Sequence, residues 1–99
     1  MDEQEYQEKL KDKAGMLKVL SHPTRLCIVC KLMTEELNVS QMQDCLDKPQ
    51  STVSQHLSIL KSRGIIKNNR KGIEVYYSLE NEEVKKLIKI FFDMEEIPK

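Results

Sequence analysis

The sequence predicts a mainly α-helical chain with one small β-hairpin, in the order α-α-α-α-β-β-α. Three observations lead there. Residues 49–64 form an amphipathic helix with an apolar back and a front of small polar residues. The segment after it, ending in Ile73-Glu-Val-Tyr-Tyr-Ser-Leu79, alternates apolar and polar residues at strand period. The flanking segments carry apolar residues at helical spacing, with turn and cap residues between them.

Residues 3–19 read as a highly charged first helix with Tyr6, Leu10, Ala14 and Leu17 on one stripe. Ser21-His22-Pro23 interrupts it, because proline suits the first position of a new helix and Ser21 or His22 precedes it as cap. The second helix, about 23–34, has Leu26, Val29, Cys30 and Met33 on one side and Ile28 and Leu32 on the other. A helix apolar around most of its circumference is expected to be central and buried. Asn38-Val-Ser-Gln41 has capping-box spacing and opens a short helix ending near Leu46. Asp47-Lys48-Pro49 then turns the chain into the helix at 49–64.

In that helix Val53, Leu57 and Leu60 face inward, and Ser51, Gln55, Ser58 and Ser62 fall on the opposite side at about 100° per residue. A solvated helix face usually carries Glu and Lys. Short hydroxyls and an amide suit close approach to a surface of hydrogen-bonding edges, such as the DNA major groove. The Asn68-Asn-Arg-Lys-Gly72 segment reads as the turn of a hairpin, with Ile73, Val75, Tyr77 and Leu79 on one strand face and Arg70 and Lys71 at its tip. A last helix, about 81–93, aligns Val84, Leu87, Ile88 and Phe91. Scaffold helix, short helix, turn, polar-faced helix and hairpin together make a winged helix-turn-helix.

At 99 residues the whole chain, 1–99, is expected to be one DNA-binding and dimerisation domain. Charged residues are 32% and hydrophobic ones 39%, with no run long enough to span a membrane, which points to a cytoplasmic protein without a membrane partner. Formal net charge is zero, but its distribution is not even. Residues 48–72 hold six cations (Lys48, Lys61, Arg63, Lys67, Arg70, Lys71) and no acid; residues 1–47 carry nine acids against six bases, and 73–99 seven against four. The positive charge therefore lies on the candidate reading unit. Phe91, Phe92, Met94 and Ile97 have little left in the chain to cover them, so the first and last helices are expected to pair with a second copy.

At this point the chain resembles the ArsR-type (ArsR/SmtB) winged-helix repressors of bacteria and archaea. The resemblance runs from about Met16 to Phe92. It rests on Leu17-Lys-Val-Leu-Ser-His-Pro-Thr-Arg-Leu26, Pro49-Gln-Ser-Thr-Val-Ser-Gln-His-Leu57 and Gly72-Ile-Glu-Val-Tyr-Tyr-Ser-Leu79. It implies a homodimer that binds an inverted-repeat operator in double-stranded DNA and represses transcription until an inducer acts. It also implies that Ser51, Thr52, Ser54, Gln55 and His56 hold recognition positions, with Gln50 opening that helix and Arg70 and Lys71 in the wing. Physically, Ser51 and Gln55 are the best base-edge candidates, while Lys61, Arg63, Arg70 and Lys71 suit phosphates. His56 lies near the core edge, where a structural hydrogen bond and a DNA contact are both open.

The metal sites that the resemblance suggests do not carry over. Asn38 and Ser40 stand where a thiolate pair would be, and no His follows Leu79. No metal or other cofactor is expected. Cys27 and Cys30 form Cys-x-x-Cys on the second helix. Position 30 matches a cysteine that some members use to sense oxidants or persulfide, but the partner cysteine of those members in the last helix is missing, which leaves Cys27 as the substitute. Packing cysteines, a thiol sensor and a regulator with no inducer all remain open. No phosphate loop, nucleophile elbow or metal-ligand cluster suggests an enzyme. The alternative of another class is a winged helix used for protein contact, without DNA reading.

Overall fold

The computed structural model describes residues 1–98. Five α-helices run over Glu3–Leu20 (α1), Pro23–Leu32 (α2), Val39–Leu46 (α3), Gln50–Ser62 (α4) and Glu82–Phe91 (α5). Three strands run over Leu37–Asn38 (β1), Ile66–Lys71 (β2) and Glu74–Leu79 (β3), and a 3-10 turn follows at Met94–Glu96. The predicted mainly helical, winged helix-turn-helix architecture is the observed one. Its addition is β1, which pairs antiparallel with β3 and gives the sheet order β1-β3-β2. Two residues are too few to leave a periodic signal, so the sequence does not reveal β1; the β3 edge recruits it.

The helix boundaries follow from local chemistry. Asp2 caps α1, its carboxylate accepting from the Glu5 N–H at 2.8 Å. His22 caps α2 through Nδ1, which accepts from the Thr24 N–H at 3.1 Å, with Pro23 at the first helical position. The capping box of α3 closes in both directions, between Gln41 N–H and Asn38 Oδ1 and between Asn38 N–H and Gln41 Oε1, each at 2.9 Å. α3 ends on Asp47, whose φ of 53° and ψ of 48° lie in the left-handed region.

α4 ends in a Schellman motif. Ile65 N–H reaches Leu60 C=O at 3.1 Å and Gly64 N–H reaches Lys61 C=O at 2.9 Å, with Gly64 at φ 70°. Ile65 and Leu60 are both fully buried, so the motif delivers the chain into β2 with its first residues anchored in the core.

The core joins Ile28, Val29 and Leu32 of α2, Met42 of α3, Val53, Leu57 and Leu60 of α4, Ile65, Ile66 and Leu79 of the hairpin, and Val84 and Ile88 of α5. Three sequence expectations need correction. Asn68, Asn69, Arg70 and Lys71 are strand and not turn, because the hairpin turns on two residues only, Gly72 and Ile73, with Lys71 paired to Glu74. Gly72 at φ 66° supplies the positive dihedral that such a turn needs first. Ile73 is therefore not on the inward strand face but 93% exposed at the tip. Ile97, expected to lack cover, is buried: Phe92, Glu96, Ile97 and Pro98 close over Pro23, Leu26, Cys27, Cys30 and Lys31 of α2, around a cavity of about 300 Å³. Lys31 Nζ donates to the Pro98 carbonyl at 2.7 Å and holds the segment there.

Candidate nucleic-acid interface

α4 presents its front as expected. Gln50, Ser51, Gln55, Ser58, Lys61 and Ser62 are exposed, Thr52 and Ser54 are half-buried at the flanks, and Val53, Leu57 and Leu60 are at most 1% exposed at the back. The start of this helix differs from the others. Pro49 occupies the cap position with no side-chain hydrogen bond, whereas Asp2, His22, Asn38 and Asn81 cap α1, α2, α3 and α5. The first amides of α4 consequently keep their donors for a partner outside the helix, and no acid lies in its first turn.

His56 turns toward the scaffold. Its ring centroid lies 4.6 Å from that of His22, and Arg25 Nη1 sits 3.4 Å from its Nδ1. Arginine can only donate, so Nδ1 accepts and the neutral ring is the form that fits. Desolvation, followed by the charges of His22, Arg25 and Lys48, lowers its affinity for a proton. Arg25 is itself anchored by Nε donating to the Val19 carbonyl at 2.8 Å. The cluster locks the N-terminus of α2 against α4 and so sets the angle between scaffold and reading helix.

The cations divide into those that are free and those that are engaged. Arg63 lies over Gly15 of α1, where even a β-carbon would collide with its guanidinium. Glycine at that position is what admits the contact, and it draws Arg63 toward the scaffold. The hairpin register separates the two wing cations. Ile66, Asn68 and Arg70 pair with Leu79, Tyr77 and Val75 on the face that continues into the core. Lys67, Asn69 and Lys71 pair with Ser78, Tyr76 and Glu74 on the outer face. Arg70 is exposed and, among the described residues, has no ion-pair partner. Lys71 instead bonds Glu36 Oε2 at 2.7 Å and lies 5.2 Å from the Tyr76 ring centroid.

Glu36 is the residue that sequence reading missed. It directly precedes β1 and reaches the outer face of β2, accepting also from Asn69 Nδ2 at 3.2 Å. The Lys71 hydrogen bond is the main influence holding its carboxyl below the usual range. Alternation along β2 puts residues 67, 69 and 71 on one side, but nothing local in the sequence joins them to a residue more than thirty positions earlier.

The three thiols differ in access. Cys30 is buried and Cys27 half-buried beside the α2 cavity, while Cys45 is exposed on α3. Burial, and then proximity to Cys27, raises the Cys30 thiol above its ordinary value, opposite to what a reactive thiolate needs. No group of three or more His, Cys, Asp or Glu side chains able to hold a metal occurs among the described residues.

A family model described as bacterial regulatory protein, arsR family, matches residues 22–68. The chain is 46% identical over 82 residues to the transcriptional repressor PagR of Bacillus anthracis, covering 82% of each. The crystal structure of PagR superposes with a TM-score of 0.78 at 44% identity, over 86% of this chain and 98% of that one. Reduced HlyU from Vibrio cholerae superposes at 0.83 with 32% identity, over 89% and 93% of the two chains. A homodimeric winged helix-turn-helix DNA-binding domain from Mycobacterium bovis superposes at 0.81 with 26% identity, over 92% and 83%. The shared fold, the matched reading unit and the similarity across the chain agree: the protein belongs to the ArsR family of DNA-binding transcriptional regulators and is not an enzyme.

Proposed function

We propose that the protein is a homodimeric repressor that reads an inverted-repeat operator with the exposed front of α4. The observation that carries this reading is the coincidence of chemistry on one surface. An acid-free stretch from 48 to 72 sets Ser51, Gln55, Ser58 and Ser62 facing outward from a helix whose first amides have no cap. Gln55 and Ser51 meet base edges, and Gln50, Thr52 and Ser54 flank them. Lys61 and Arg70 meet phosphates, and Arg63 and Lys71 do so only after leaving their intramolecular partners. His56 acts by orienting α4. A protein-contact module has no need of a front of this kind.

The dimer is supported by the apolar surface that one chain leaves in water. Tyr6, Leu10 and Leu17 of α1 are 45–55% exposed, and Ile90 and Phe91 of α5 are 77% and 63% exposed. A Lys13–Glu83 ion pair holds α1 beside α5, and Leu17 lies with Leu87 and Phe91 around one apolar recess. Two copies joined there make a single regulatory domain of residues 1–99 per subunit, acting in the cytoplasm. The cysteines Cys27 and Cys30 serve packing in this reading, and no metal or cofactor is required.

The test begins with recovery of bound genomic fragments to define the operator. Gln55→Ala then lowers the preference for operator over random duplex by about tenfold, within the 1–3 kcal/mol of a bidentate base contact. Arg70→Ala weakens binding to both and reduces the salt slope by about one. Variants that both bind like the parent would show that α4 is not the reading surface, and sedimentation at the monomer mass of 11.6 kDa would remove the dimer.

A further inference from the structure

We propose that Glu36 is an affinity-setting residue of the DNA interface: it occupies Lys71 in the free protein as an internal stand-in for a phosphate, and it must release that cation before the wing can use it. The inference rests on the assignment of the hairpin as a DNA-contacting wing. Three features of the outer sheet face and one contrast with the other face carry it. Glu36 Oε2 takes Lys71 Nζ at 2.7 Å, while Oε1 takes Asn69 Nδ2 at 3.2 Å, so one carboxylate spans alternate residues of β2. Lys71 is steadied further by the Tyr76 ring at 5.2 Å. Asn38, two residues along at the end of β1, donates to Glu74 Oε2 at 3.2 Å, so the 36–38 segment is tied to the hairpin at both ends. Arg70, one residue from Lys71 but on the other face, has no such acid partner among the described residues.

A carboxylate and a phosphate oxygen offer an ammonium group the same hydrogen-bond chemistry. Lys71 cannot give its full charge to DNA while Glu36 holds it. Wing binding therefore exchanges one ion pair for another on that face, whereas Arg70 gains a phosphate with nothing to give up. The exchange lowers affinity for any duplex, operator or not, and leaves recognition by α4 untouched. It sets the level at which the protein sits on non-specific DNA.

The experiment is a double-mutant cycle on the full chain. A labelled random-sequence duplex at low salt is titrated with parent, Glu36→Gln, Lys71→Met and the double variant. Glutamine keeps the shape and the Asn69 contact but removes the charge. Glu36→Gln is expected to tighten binding about threefold to fivefold, the range of an exposed ion pair, and to steepen the salt slope. In the Lys71→Met background the same change is expected to have almost no effect. An equal gain in both backgrounds would mean that Glu36 acts through the general field, and a loss of affinity on Glu36→Gln would mean that it braces the wing; either overturns the proposal. A parent that binds no duplex removes the DNA-reading assignment itself, whereas a parent that binds without coupling between the two residues removes only this inference.

Discussion

α2 and α4 lie against each other in one core and put their surfaces to opposite uses. α2 buries residues on several sides, with Ile28, Val29, Cys30 and Leu32 all under 8% exposed. α4 buries one narrow stripe and leaves its other side open. Two of the three thiols, Cys27 and Cys30, sit on the closed helix, while unremarkable serines and a glutamine sit on the open one. Reactive potential in a sequence does not by itself mark a working surface; access does. A cysteine that burial has raised above its normal titration range is a small hydrophobe first. A serine on an exposed helix with no competing acid is available to a partner.

The sharpest way to break this comparison is to exchange back for front within α4. Leu57→Ala removes a side chain that is 1% exposed and is expected to cost about 2–5 kcal/mol in urea unfolding, whereas Gln55→Ala should stay within about 0.5 kcal/mol. Similar losses from the two would mean that the front is structural. On α2, Cys30→Ser puts a hydroxyl into an apolar site and is expected to cost about 1–3 kcal/mol. The corresponding chemical measurement is alkylation of the native protein followed by mass spectrometry. Cys45 should react first, Cys27 next and Cys30 last, following exposure and the raised Cys30 thiol. Cys30 reacting first would reopen a thiol switch.

The contact between α2 and α4 predicts a pH dependence. His56 binds a proton less readily folded than unfolded, so the unfolded chain takes up more protons as the solution is acidified. Stability from this site is complete above the ordinary histidine range, near pH 6.5, and falls as pH drops through that range toward the lowered folded value. Thermal unfolding between pH 7.5 and 5.5 should show the decline, and His56→Asn should flatten it. The smallest effect belongs to the turn ahead of α4. Asp47→Gly relieves a left-handed residue and should stabilise by about 0.5–1 kcal/mol with DNA binding unchanged.

Much of the fold was legible because it rests on local signals. The capping box at Asn38 and Gln41, Pro23 at a helix start and Gly64 at a helix end each act within a few residues. The apolar stripe of Val53, Leu57 and Leu60 gave the orientation of α4, and with it the exposed Ser51 and Gln55. What escaped depended on distant partners. β1 exists because β3 offers it an edge. Ile97 finds cover on α2, about seventy positions earlier, and Arg63 finds a place on α1 only because Gly15 lacks a side chain. Asn68 and Asn69 are turn formers by propensity and suggest a hairpin turn earlier than the real one, because pairing with β3 overrides them. The division of Arg70 and Lys71 between two faces follows from strict strand alternation once the register is known, and the register is a tertiary fact.

The bare start of α4 has one further consequence. A helix whose leading amides point outward without a cap is incomplete in the free chain, and solvent must finish it. Deuterium should enter its opening turn sooner than the neatly boxed beginning of α3, and a docked phosphate should slow that entry. On the proposed reading, recognition includes a small act of folding: the anion that neutralises the surface also finishes the open start of this helix.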